Sequence, residues 1–122
     1  MNAARPNEIW IYPKPWTLDI EPLFPSVKPG YDDLVVNVDW SKNNDFWARV
    51  VLGAFTLPNG KPCPQVEPRE ASIPKGDETP HTIKMKQKVV DKTECKFTVE
   101  LHRTDPPERF LFDPGLNLNP GP

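Results

Sequence analysis

The chain has 122 residues, 17 of them proline, and 15 Lys/Arg against 17 Asp/Glu give a formal charge of −2. That length suits one domain with one modest core. The balanced charge leaves no basic footprint for DNA or RNA and no basic amphipathic face for a membrane surface. A proline-rich chain with 37% hydrophobic residues leans toward disorder, but six Phe, four Trp and two Tyr are more aromatic residues than disordered chains carry. The expectation is one folded domain over residues 1–122 with long irregular connections.

Residues 1–8 are polar and read as irregular. They hold no apolar core of a signal peptide, and no run approaches the ~18 apolar residues of a spanning helix, so a cytoplasmic location is expected. Ile9-Trp-Ile-Tyr12 alternates and is ended by Pro13 and Pro15, whose missing N–H groups suit an edge strand. Trp16, Leu18 and Ile20 share one side of a second alternating run. Pro22, Pro25 and Pro29-Gly30 then break the chain.

Tyr31–Leu57 is free of proline, and proline is excluded from central strands, so the centre of the sheet belongs here. Leu34, Val36, Val38 and Trp40 alternate with Val35, Asn37 and Asp39, the pattern of a half-buried strand. Ser41–Asp45 is a connection of hairpin length. Phe46–Phe55 differs, because Trp47, Val51 and Phe55 make its second face apolar as well. A strand apolar on both faces needs cover on both.

Residues 58–80 form a proline-rich loop with room for one short edge strand near Ala71–Ile73. His81–Asp105, again free of proline, reads as a hairpin. One arm carries Ile83 and Met85 against a stripe of Lys84, Lys86 and Lys88, and the other carries Cys95, Phe97, Val99 and Leu101 against Glu100 and His102. Arg109–Phe112 supplies a last short strand, and 113–122 reads as an irregular tail. No stretch shows a helical stripe. Some seven short strands separated by turn signals predict an all-β, antiparallel β-sandwich, with a small β-barrel as the alternative. The sandwich is immunoglobulin-like only in the loose architectural sense: Trp47 follows a hairpin, but both cysteines lie after it.

No catalytic constellation accompanies the two histidines, His81 and His102, so they read as surface residues and no enzyme is expected. Cys63, Cys95, His81 and His102 match no zinc-ligand spacing, and no metal or cofactor is expected. Cys95 reads as a small inward apolar residue. A Cys63–Cys95 bridge, which would staple the proline-rich loop to the sheet, is the less favoured alternative. What remains is a non-catalytic binding or assembly module working through protein–protein contacts. Its partner-binding face would be Trp47, Val51 and Phe55, covered by a protein partner or by a second copy in a homodimer. The alternative is a carbohydrate-binding module that stacks sugar rings on exposed Trp10, Tyr12 and Trp16. Nucleic acid and membrane are not expected partners.

Overall fold

Strand pairing accounts for nearly all the regular structure in the computed structural model, which describes residues 7–21, 26–27, 33–76 and 80–118. The Pro22, Pro25 and Pro29-Gly30 breaks expected from the sequence lie outside the described residues. The strands in chain order are β1 (Glu8–Lys14), β2 (Thr17–Glu21), β3 (Ser26–Val27), β4 (Asp33–Val38), β5 (Arg49–Leu52) and β6 (Ala71–Pro74). They continue as β7 (His81–Lys86), β8 (Thr93–Lys96), β9 (Val99–Thr104), β10 (Pro107–Phe112) and β11 (Gly115–Leu118). Among the described residues there is no helix.

Three sheets result: a first in the order β2-β1-β4-β7, a second in the order β10-β9-β5-β6, and a third in the order β3-β11-β8. Most pairs are antiparallel; β1 with β4 and β3 with β11 are parallel. The sheets do not close into a barrel, and the fold is a β-sandwich. The first sheet contributes Ile9, Ile11, Leu34, Val36 and Val38 to the core, the second Val50, Leu52, Val99 and Leu101, and the third Cys95, Leu116 and Leu118, all in one buried cluster. Each such side chain contributes about 1.5–3 kcal/mol by leaving water.

The proline argument holds where it was strongest. β4 and β5, from the proline-free window, are both interior strands. β1 is a correction, since it is interior and not an edge. Its pairing with β4 stops at Ile11, and Pro13 lies past that point, opposite Leu18 of β2. The missing N–H of Pro13 therefore interrupts no ladder to β4.

Both expected hairpins are instead connections between sheets. β4 belongs to the first sheet and β5 to the second, so residues 39–48 cross the sandwich. Asn43, fully buried, holds this arch. Its side-chain amide donates to the Trp47 carbonyl and its side-chain oxygen accepts the Trp47 N–H, each at 2.9 Å. Asn44 and Asp45 follow at φ of 51° and 54°, in the left-handed region that Asn and Asp tolerate best. Likewise β7 pairs with β4, while β9 pairs with β5 and β10. The lysine stripe thus lies on a different sheet from Glu100, whose neighbours include His102 at 3.4 Å and Arg109 at 3.6 Å.

The tail is not irregular throughout: β11 buries Leu116 and Leu118 and pairs with β8. At the other end, Asn7 is buried and Glu8 begins β1. The proline-rich segment is tied down by backbone bonds from Glu67 N–H to the Lys86 carbonyl and from Lys88 N–H to the Gln65 carbonyl, both at 2.8 Å. Cys63 and Cys95 form a disulfide with their Cα atoms 6.3 Å apart, correcting the expectation of free thiols. The bridge closes a loop of sequence separation 32. Replacing both cysteines by Ala is expected to lower unfolding free energy by roughly 3–4 kcal/mol in chemical denaturation; a change under about 1 kcal/mol would show that the loop is held by its hydrogen bonds alone.

Candidate functional site

The face built from Trp47, Val51 and Phe55 does not exist as a surface. β5 spans only Arg49–Leu52, so the two-residue period does not run through residues 46–48 or 53–55. Trp47 is turned inward by Asn43, and its indole N–H donates to the Lys14 carbonyl at 2.6 Å. Phe55 packs on Phe97 with ring centroids 5.0 Å apart. Val51 alone points outward from the second sheet, half-buried between Glu100 and Ser72. The chain itself covers the second apolar face.

The row of three exposed rings is also absent. Trp10 and Tyr12 are 9% and 5% exposed, stacked on each other 6.1 Å apart at 15°. They lie on the side of β1 away from the core residues Ile9 and Ile11. Beside them, buried Asn37 is the cross-strand neighbour of Trp10. The Trp10 Nε1, the Tyr12 hydroxyl and the Asn37 Nδ2 are buried without a hydrogen-bond partner. Burial, with Glu21 and then Asp39 nearby, raises the Tyr12 phenol above its ordinary pKa.

Trp16 is different: it is 61% exposed. It sits in the two-residue turn between β1 and β2 at a φ of 68°, a conformation that costs a non-glycine residue about 1–2 kcal/mol. Pro15 precedes it, and the Pro-then-left-handed order is that of a type II turn, where glycine usually follows proline. Neighbouring rings support the Trp16 side chain. Its ring meets Phe46 edge-on at 4.6 Å, and Phe46 meets Trp47 at 5.0 Å. The Arg103 guanidinium lies 3.9 Å from the Phe46 ring and 5.4 Å from the Trp16 ring. Phe46 is therefore the link from the buried arch to exposed Trp16 and half-buried Arg103.

Edge strands reveal the second half of the site. An unpaired edge offers a row of free N–H and C=O groups, and proteins usually blunt it. The outer edge of β7 is covered by residues 65–69, including Arg69 Nη1 bonded to the Lys84 carbonyl at 2.9 Å. The four-residue β6 ends in Pro74. β2 carries Asp19 and Glu21, with Lys14 paired to Asp19. β8 is partly covered, because Lys96 and Thr56 exchange backbone bonds of 2.8 Å. β10 has Pro107, Glu108 and Arg109 in its first half, but among the described residues no segment covers its outer edge and its second half carries no charge. It runs six residues, pairs among the described residues with β9 alone, and exposes Leu111 (56%) and Phe112 (37%).

β10 and β2 are the edges of opposing sheets, and they border a common cleft. A 460 Å³ depression is lined by Leu18, Ile20 and Phe112, together with Asp19, Glu21 and Lys42. Leu18, Ile20 and Phe110 are only partly buried against the core. An apolar seam thus opens along one side of the sandwich, with the Trp16–Phe46–Arg103 cluster beside it.

Both cysteine sulfurs are in the disulfide, which leaves no thiol nucleophile. His102 Nε2 lies 3.4 Å from Glu100 Oε2 on the outer face of the second sheet. Among the described residues no group of three His, Cys, Asp or Glu side chains is placed to hold a metal ion. Among them there is also no helix long and apolar enough to cross a membrane. The chain matches no protein-family model, no curated protein and no solved structure.

Sequence reasoning found Trp16 but missed Leu111 and Phe112. The available signal was the run Glu108–Phe112, a strand-like stretch carrying neither lysine nor internal proline. For the buried polar pair the expected outcome reverses common experience. Tyr12→Phe removes a hydroxyl that has no partner, so it should leave stability unchanged or raise it by up to about 1 kcal/mol. A loss above about 1 kcal/mol in thermal or urea unfolding would mean that the hydroxyl is bonded.

Proposed function

We propose that the chain is a non-catalytic binding and assembly module that recruits an extended segment of protein to the open edge of β10. The observation that carries this reading is the second half of the β10 edge, where Leu111 and Phe112 are exposed beside the cleft lined by Leu18 and Ile20. Strand addition of this kind draws affinity from backbone hydrogen bonds and specificity from alternate side chains. Trp and Arg are enriched among the residues that anchor protein contacts, and exposed Trp16 and half-buried Arg103 stand next to the seam. The earlier assignment to Trp47, Val51 and Phe55 is replaced by Trp16, Leu111 and Phe112. A carbohydrate platform is less well supported, because of its three rings only Trp16 reaches solvent.

The test is selection of a displayed library of random peptides against the wild-type chain, immobilised sparsely so that copies stay apart. Peptides should be enriched that shift the NMR amide signals of β10 and lose binding at least ten-fold to Leu111→Lys. Failure to enrich, or binders whose shifts map to the lysine face of β7, would overturn the reading.

The proposal places the chain in an oxidising compartment, not the cytoplasm expected from the sequence. The buried Cys63–Cys95 bridge supports it, since such bridges persist where thiols are not kept reduced. Protein recovered from its native source under alkylating conditions should carry no alkyl label on either cysteine. Full labelling of both would contradict this placement.

A further inference from the structure

We infer that the segment received by β10 is β10 of a second copy, paired antiparallel about a twofold axis at Leu111. This rests on the strand-addition reading above and names its partner. In an antiparallel pair, residues directly opposite each other lie on the same face, so the register fixes every contact. A twofold centred on Leu111 sets Leu111 against Leu111, Phe110 against Phe112, and Arg109 against Asp113. Each pairing is complementary. Leu111 is 56% exposed and Phe112 37%, and each would be covered by an apolar partner. Phe110 and Phe112 are the seam-facing residues of β10, opposite Leu101 and Val99 of β9.

The charges agree with this register. The Arg109 side chain is 65% exposed, and its carboxylate neighbour among the described residues is Glu100 at 3.6 Å. Across the second sheet it stands in line with His102 and Arg49, which are directly opposite one another on β9 and β5. A row with this basic bias favours a carboxylate on the incoming strand and disfavours a further cation. Asp113, exposed just past the end of β10, supplies it.

The alternative registers are worse. Centring on Phe110 would oppose Arg109 to Leu111 and Glu108 to Phe112. Centring on Arg109 would bring two guanidinium groups together. Two other edges are less suited: β2 centred on Asp19 would stack carboxylates, and β6 ends in Pro74. Twofold pairing of β10 would join the second sheets of two copies into one eight-stranded sheet, the closed, self-complementary contact typical of homodimers.

A charge-swap series read by sedimentation equilibrium tests the register. Wild type is expected to dimerise. Arg109→Asp and Asp113→Arg should each weaken the dimer at least ten-fold, and the double variant Arg109→Asp/Asp113→Arg should recover most of that loss. Near-ultraviolet circular dichroism of each monomer checks that the fold survives, which is expected because both side chains are exposed. A wild type that stays monomeric at high concentration overturns the self-pairing. In that case, peptides that still bind β10 leave the module reading standing. A dimer indifferent to all three variants, or one in which the double variant is no stronger than the singles, also overturns it.

Discussion

The two hydrogen bonds between Asn43 and the backbone of Trp47 are the constraint on which the rest of the sandwich depends. They convert what would be a hairpin turn into an arch, and the arch places β4 and β5 in opposite sheets. Once those strands face each other, Leu34, Val36 and Val38 meet Val50 and Leu52 and the core has two sides. The same arch seats Trp47 against the carbonyl of Lys14, tying the start of β5 to the end of β1. A fully buried side-chain amide is costly unless satisfied, and the bonds to Trp47 engage both its donor and its acceptor.

The candidate site is a by-product of this arrangement. Phe46 precedes Trp47, so fixing Trp47 inward leaves Phe46 at the mouth of the sandwich. There it supports Trp16 and Arg103. Trp16 keeps its left-handed φ while its ring packs edge-on against Phe46. Strain at an exposed aromatic residue is the kind of feature that accompanies binding surfaces. The seam beside it arises because each four-stranded sheet ends on that side with a strand whose core-facing residues are only half covered.

Much of the fold was legible in the sequence. Period-two patterning located β4, β5, β7 and β9, and the absence of proline marked β4 and β5 as interior. Pairing was not legible, because Ser41–Asp45 and Asp91–Glu94 are turn signals whether the chain reverses within a sheet or crosses to another. The two-faced character of Phe46–Phe55 misled for a related reason. Alternation counts faces only while the residues are in a strand, and Trp47 and Phe55 lie outside β5. β11 was missed because Gly115-Leu-Asn-Leu118 sits among prolines and glycines, although its two leucines are the core of the third sheet. The disulfide could not be read from spacing, because it joins a loop to a strand through the tertiary fold. In the candidate site, Trp16 was legible as an aromatic residue beside prolines. The value of β10 was not, because it depends on which edges the tertiary fold covers and on Leu111 and Phe112 staying exposed.

The central claim is that β10 is an open edge in the isolated chain and is closed by a second copy. Residue-resolved amide hydrogen exchange, measured across a dilution series, tests it most directly. The account predicts that alternate amides of β10 exchange freely in dilute solution and become protected as concentration rises, while β4, β5 and β9 stay protected throughout. Protection of every β10 amide at all dilutions would contradict it, since the edge would then be covered within the single chain.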